Sequence, residues 1–376
     1  MKTRQIVSIF FVIALLTASA VPLSGGEIKP GGAGNFSKTL SGDSAHGFKR
    51  AEEVRGFIFP RDYGPHPEFQ TEWWYYTGNL VDASGRRFGY QLTFFRRALS
   101  PKSPQRRSNW AANQIYFAHF TVSDIENGNF YSAEKWGRAA LGLAGARSEP
   151  HLVWIGDWSA GKEGDLFELK ARDGSVSLDL TLTPLKPIVL QGDRGLSQKG
   201  EEPGNASYYY SVTRLETAGT IKIAGQEFNV RGLSWLDREW STSALGVDIE
   251  GWDWFSLQLE DGRDIMLYRL RQKDGGTDSH SGGSLVEKDG SLKTLKVSDF
   301  SIEVLDTWKS ADTGVTYPSK WRVSIPEYET ELTITPYQPN QELVLSFVYW
   351  EGAVSVSGGG VSGSGYVELT GYEANR

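Results

Sequence analysis

From about residue 70 onward, apolar and polar positions alternate with a period of two, and few windows carry the 3.6-residue spacing of an amphipathic helix. The stretches "RRFGYQLTFF" (86–95), "VSLDLTLTP" (176–184), "GTIKIAG" (219–225) and "ELVLSFVYW" (342–350) read as strands, separated by "DASG", "EDG", "KDG" and "AGQ" turns. The expected fold class is all-β. In "HPEFQTEWWYYTGNL" (66–80) four aromatic rings follow one another, and a strand must send half of them to each face. Glu72, Trp74 and Tyr76 share one face, while Trp73, Tyr75 and Thr77 share the other. Trp252 and Trp254 also share a face, with Asp253 opposite. Trp74, Tyr76, Trp252 and Trp254 are the set expected to line a ligand cavity; core packing is the competing role for the same rings.

The strand pattern repeats. Residues 73–96, an aromatic strand, an acidic-Gly-Arg turn and a second strand ending in Arg, have a counterpart at 252–271. "DLTLTPLKP" (179–187) matches "ELTITPYQP" (331–339), and "GTIKIAG" (219–225) matches "GAVSVSG" (352–358), with Gly232 and Gly365 at equal distance beyond them. Three collinear matches predict a duplication: an N-terminal β domain over 55–245 and a C-terminal one over 246–376, joined near 241–250. Antiparallel strands with tight turns hide their edges by closing into a barrel, and a barrel of about eight strands can hold one small ligand. A β-sandwich has the same periodicity.

Composition sets the surroundings. Lys2 and Arg4 precede an apolar run over 6–18 that ends in Ala18, Ser19 and Ala20, the order of a secretory signal peptide over 1–20. A membrane anchor is the alternative, but the run falls short of the ~20 apolar residues of a spanning helix. Cleavage would take the formal charge from −7 to −9 and leave a periplasmic or secreted protein that does not span the membrane. Residues 21–54 are expected to form a flexible leader. Acidic balance and the lack of a sustained basic run argue against nucleic acid. With no cysteine, disulfides and thiol chemistry are excluded. "RRALSPKSPQRR" (96–107) is a basic loop in an acidic chain, read as a solvated hairpin loop, a flap, or a handle for an anionic partner.

In "LDREW" (236–240), Asp237 and Glu239 share a strand face and Arg238 lies on the other. Two buried carboxyls at that spacing could divide into an acid and a base, as addition of water to a double bond requires. The plainer reading pairs them with Arg238, Arg263 or Arg269. Glu72 among aromatic rings is costly to bury unless paired, so it is either exposed at a barrel mouth or functional. The histidines match no ligand spacing, so no metal and no cofactor are expected. No nucleophile elbow and no phosphate-cradling loop is present.

The strings "EWWYYTGNL", "YYYSVTRL", "RGLSWLDREW", "GWDWFSLQLEDGRDIMLYRLR", "YPSKWRVSIP" and "YWEGAV…GSGYVELTGY" resemble the AttH-like family, over about 66–372. That family includes carotenoid 1,2-hydratases of the CrtC type and exported proteins described as secreted hydrolases. The resemblance implies two tandem lipocalin-like (calycin) β-barrel domains packed together, but no single activity. Where hydratase-like members carry a histidine this chain has Arg238, which can hold an anion but cannot exchange a proton near neutral pH. Tyr268 falls where the hydratases place a tyrosine. Two functions remain open: a carrier of an apolar or polyene-like ligand, serving an ABC-transporter permease as the resemblance implies, or an enzyme of hydratase, isomerase or hydrolase type using Asp237, Glu239, Tyr268 and Glu72, with Arg238 among the ligand-binding groups.

Overall fold

The computed structural model of the chain describes residues 46–102, 112–243, 245–246 and 248–373. The expected signal segment, the leader up to residue 45 and residues 103–107 of the basic loop lie outside the described residues. Residues 46–54 correct the expected leader, because they belong to the packed body. Ala51 is buried, Arg50 Nη2 donates to Asn205 Oδ1 at 3.1 Å, and Lys49 N donates to Glu68 O at 3.0 Å. The Gly- and Ser-rich composition ends just before Phe48, which is itself buried.

Among the described residues the regular elements are strands and single-turn 3₁₀ helices. The first sheet is built from β1 (Thr71–Asp82), β2 (Arg87–Ala98), β3 (Gln114–Asp124), β4 (Asn129–Arg138), β5 (Ala144–Ser148), β6 (His151–Ile155), β7 (Trp158–Glu163), β8 (Leu166–Asp173), β9 (Val176–Pro184), β10 (Val189–Leu190), β11 (Leu196–Gln198), β12 (Ala206–Ile223) and β13 (Gln226–Ser243). The second holds β14 (Ile249–Leu259), β15 (Asp264–Gln272), β16 (Gly282–Val286), β17 (Leu292–Lys296), β18 (Ser301–Lys309), β19 (Thr316–Ile325), β20 (Thr330–Pro336), β21 (Glu342–Val344), β22 (Val348–Gly358) and β23 (Val361–Leu369). The chain passes from one sheet to the other between Ser243 and Ile249. All strand pairs within the two sheets are antiparallel, and both sheets are lipocalin-like.

Strand order repeats between them. The first sheet runs β4-β3-β2-β1-β13-β12-β9-β8-β7 before β6 and β5, and the second runs β17-β16-β15-β14-β23-β22-β20-β19-β18. "GTIKIAG" and "GAVSVSG" thus fall on equivalent strands, β12 and β22, but their residue-by-residue match is out of register. Gly219 crosses Leu180 of β9, and the position crossing the matching Leu332 of β20 is Gly358. Both glycines have positive φ, +153° and +150°, and a Cβ on either would sit 2.1 or 2.2 Å from a carbonyl oxygen, of Asp179 or Glu331. Likewise Gly232 opposes Leu80 as Gly363, not Gly365, opposes Leu259. The β12–β13 hairpin is simply the longer one.

The first sheet curls until its edge strands meet, with Gly137 of β4 so close to β5 that a Cβ would lie 2.7 Å from that of Ala144. Alternation fills its interior: on β8, Phe167, Leu169 and Ala171 point in while Glu168 and Lys170 point out, and Trp74, Tyr76, Trp158 and Trp240 pack beside them. The second sheet encloses its own core, including Phe255, Leu257, Trp321 and Trp350. Two smaller apolar clusters lie where the sheets face each other. Buried side chains fill the interior of each sheet, and a pocket lined by aromatic rings and carboxyls lies between the sheets.

Candidate functional site

β1 and β14 turn their outward-facing rings toward each other. Tyr75 meets Trp254 edge-on, with centroids 5.1 Å apart, and Trp73 and Trp252 flank them. Between these rings is a cavity of about 80 Å³, walled also by Phe95, Tyr209, Tyr268 and Leu270. Three carboxyls open into this apolar lining, Asp237, Glu239 and Glu368, together with the ammonium of Lys199.

Strand geometry explains how β13 supplies two of them. Leu236, Arg238 and Trp240 point into the first core, so Asp237 and Glu239 must point outward, ~7 Å apart along the strand. Asp237 is held by neutral donors: Trp235 Nε1 at 2.7 Å and Ser211 Oγ at 2.5 Å on Oδ1, and the Tyr209 hydroxyl on Oδ2. Ser211 is in turn oriented by Gln191 Nε2 at 2.9 Å, and Tyr209 accepts from Trp254 Nε1 at 3.3 Å. Burial pushes the Asp237 carboxyl up to about 7; the three donors pull it back, and Glu239 adds to the rise. Asp237 is therefore a carboxyl that exchanges its proton near neutrality.

Glu239 has a different environment, with the Lys199 ammonium and the Ser207 hydroxyl both donating to Oε1. Lys199 lies over the rings of Tyr209 and Tyr268, 5.3 and 5.7 Å from their centroids. Burial pushes the Tyr268 hydroxyl up to about 12, which keeps it a donor. Glu368, on β23, accepts from Trp252 Nε1 at 2.6 Å and is likewise raised to about 7, first by burial and further by Asp237 and Glu239. Among the described residues no group of three or more His, Asp or Glu side chains is placed to hold a metal ion.

The profile of the AttH-like family matches residues 50–372. The chain belongs to the AttH-like family. This AttH-like chain is similar to the solved AttH protein of Nitrosomonas europaea, with 37% identity, a TM-score of 0.79, and coverage of 86% of this chain and 100% of that one. Kievitone hydratase from Nectria haematococca shares the fold at 15% identity and a TM-score of 0.65, over 86% of this chain and 98% of its own. CghA in complex with Sch210972 shares it at 13% identity and a TM-score of 0.55, over 90% and 97%. In sequence the chain is 22% identical over 178 residues to the dehydratase asqC of Emericella nidulans, a match that covers 44% of this chain and 48% of that relative.

Of the residues singled out in the sequence of this AttH-like protein, Asp237, Glu239, Tyr268, Trp252 and Trp254 meet in the pocket. Four do not. Trp74 and Tyr76 are 1% and 0% exposed inside the first sheet, because alternation on β1 gives the pocket to Trp73 and Tyr75 instead. Glu72 shares the inward face. It is bonded by Arg96 and Arg238 and by the backbone N–H of His66 at 3.0 Å. Burial alone would raise its pKa, but the two guanidiniums hold it far below the carboxylate range, so it is a structural anion and not an acid. Arg238 stacks 3.9 Å from the Trp74 ring centroid and donates to Gly64 O at 2.6 Å. It neither touches the pocket nor neutralises Asp237. Arg263 and Arg269 are engaged by Asp261 and Asp253. Trp73, Tyr75, Lys199, Tyr209 and Glu368 were missed. Tyr209 and Glu368 lie inside "YYYSVTRL" and "GYVELTGY", whereas nothing in its own segment marks Lys199.

Proposed function

We propose that the pocket between the sheets is an acid–base active site that adds water to, or removes it from, a small molecule with an apolar body. The observation that carries this reading is the unequal pair on β13: Asp237 is held by neutral donors and keeps its proton up to about 7, and Glu239 is bonded to an ammonium. In hydration, Asp237 gives a proton to carbon, and attacking water gives one to Glu239. Atoms and charge balance, and dehydration is the reverse. The rings of Trp73, Tyr75, Trp252 and Trp254 would hold the apolar body and exclude bulk water. Names among the relatives support the reaction class, since kievitone hydratase shares the fold and asqC is a dehydratase. A carrier of the same kind of ligand is the second reading, favoured by the largely aromatic lining.

The test incubates the full chain with a panel of enones, conjugated polyenes and allylic or β-hydroxy ketones and follows gain or loss of one water by mass spectrometry. Asp237→Asn and Glu239→Gln should each lower turnover by about 10²–10⁴-fold while an apolar fluorescent probe still binds. Probe binding without turnover of any panel member would leave the carrier.

A further inference from the structure

Glu368 has a partner that the mechanism above does not use. On the β22–β23 pair it stands directly opposite Glu351, a register that brings cross-strand Cβ atoms to ~5 Å. Glu351 is fully buried, and Glu368 is 9% exposed and opens into the pocket. No lysine, arginine or histidine is among the groups that shift the Glu351 carboxyl. The groups facing it are the hydroxyls of Tyr75 on β1 and Tyr349 on β22, and the carboxyl of Glu368. Tyr366 of β23 also feels the Glu351 charge, and His119 of β3 stands behind Tyr349, its Nδ1 lying 2.7 Å from the Tyr349 hydroxyl. Glu368 itself faces Asp237 and Glu239 of β13, Lys199 and the Trp252 indole. Two carboxyls this close and this dry cannot both ionise without a cation between them.

We propose that Glu351 and Glu368 form a proton-holding carboxyl pair behind the pocket, with Glu368 as a second proton donor facing the ligand. The inference rests on the acid–base reading of the pocket. Glu351 is the deeper member and keeps its proton, as burial and the neighbouring carboxyl both dictate; it is a positioning residue. Glu368 exchanges with the ligand from the second sheet, as Asp237 does from the first. A proton passed from Glu368 to the ligand is balanced by the one that attacking water surrenders to Glu239. Two donors on facing walls would let the site protonate either face of a flat, unsaturated ligand held between the sheets.

The pair can be read without a ligand, so its failure is separate from any failure of the turnover experiment. Infrared spectra of the full chain at about pH 9, where ordinary carboxyls are ionised, should keep the carbonyl absorption of a protonated carboxyl. Glu351→Gln should lose it and Glu368→Gln should keep it. Trp235 reports on Asp237 in the same range, so the emission titration is run in Asp237→Asn: there tryptophan emission should step near pH 7 because Glu368 accepts from the Trp252 indole, and the step should vanish when Glu368→Gln or Trp252→Phe is added. Absence of the absorption, its survival in Glu351→Gln, or an emission step that persists when Glu368→Gln is added to Asp237→Asn overturns the pair. If Glu351→Gln does not fold, the emission titration decides. A Glu368→Gln protein with undiminished turnover overturns the donor role.

Discussion

The indole of Trp254 donates to the hydroxyl of Tyr209 across the sheet interface at 3.3 Å, and that hydroxyl donates to Asp237. The second sheet thereby reaches the proton-exchanging carboxyl of the first through one phenol. Tyr209 is fully buried and its own pKa is raised well above 10, so it stays a donor at any working pH. Its hydrogen bond pulls the Asp237 pKa down. Tyr209→Phe should therefore move the Asp237 midpoint upward from about 7, as read by carbon NMR of labelled aspartate, and cost about 1–3 kcal/mol of stability. An unmoved midpoint would remove Tyr209 from the site.

Asp237 also sets a pH dependence of stability. Its folded pKa is about 7 against an ordinary 3.8, so the folded protein binds the proton more tightly than the unfolded chain. The contribution is fully present below 3.8 and is lost as pH rises through 7, up to about 4 kcal/mol. Asp237→Asn should abolish this loss, so that denaturant midpoints of parent and variant diverge in the variant's favour between pH 5 and 8. Parallel curves would place Asp237 in contact with solvent.

Trp254 and Trp74 should respond in opposite ways. Trp254→Ala enlarges the pocket wall and should weaken binding of an apolar probe by ten- to a hundredfold, about 1.5–3 kcal/mol. Trp74→Ala leaves a void inside the first sheet and strips Arg238 of its stacked ring, at about 3–5 kcal/mol of stability. Probe titration beside urea denaturation separates the two; equal effects on binding would contradict the facing of β1.

Glu72 should behave as a structural anion. Glu72→Gln leaves Arg96 and Arg238 short of their shared charge in a dry site, at about 3–5 kcal/mol. The depressed folded pKa of Glu72 gives stability that is present above about 4.3 and lost as pH falls, and the variant should lack this acid-side loss. Its pocket should still bind the probe, checked by thermal melts and titration across pH 3–7.

Period-two alternation was enough to mark the strands and which side chains travel together, because parity is a local property of the backbone. It paired Glu72 with Trp74 and Tyr76, Asp237 with Glu239, and Trp252 with Trp254, and each pairing holds in the structure. Parity has no sign, however. Whether Trp74 or Trp73 faces the pocket depends on which side of β1 the first sheet curls around, and that follows from pairing with β13, some 160 residues away. The repeat slipped in register at Gly219 for the same reason: a strand is recognised by its alternation, but its partner fixes its position. The charges were decided last. Arg238 lies beside Asp237 in sequence but on the opposite face, where Glu72 takes it, whereas Lys199 comes from a distant loop to Glu239. Glu351 meets Glu368 only through the β22–β23 hairpin. Burial and electrostatics act through space, so tertiary packing gave the carboxyls their separate environments.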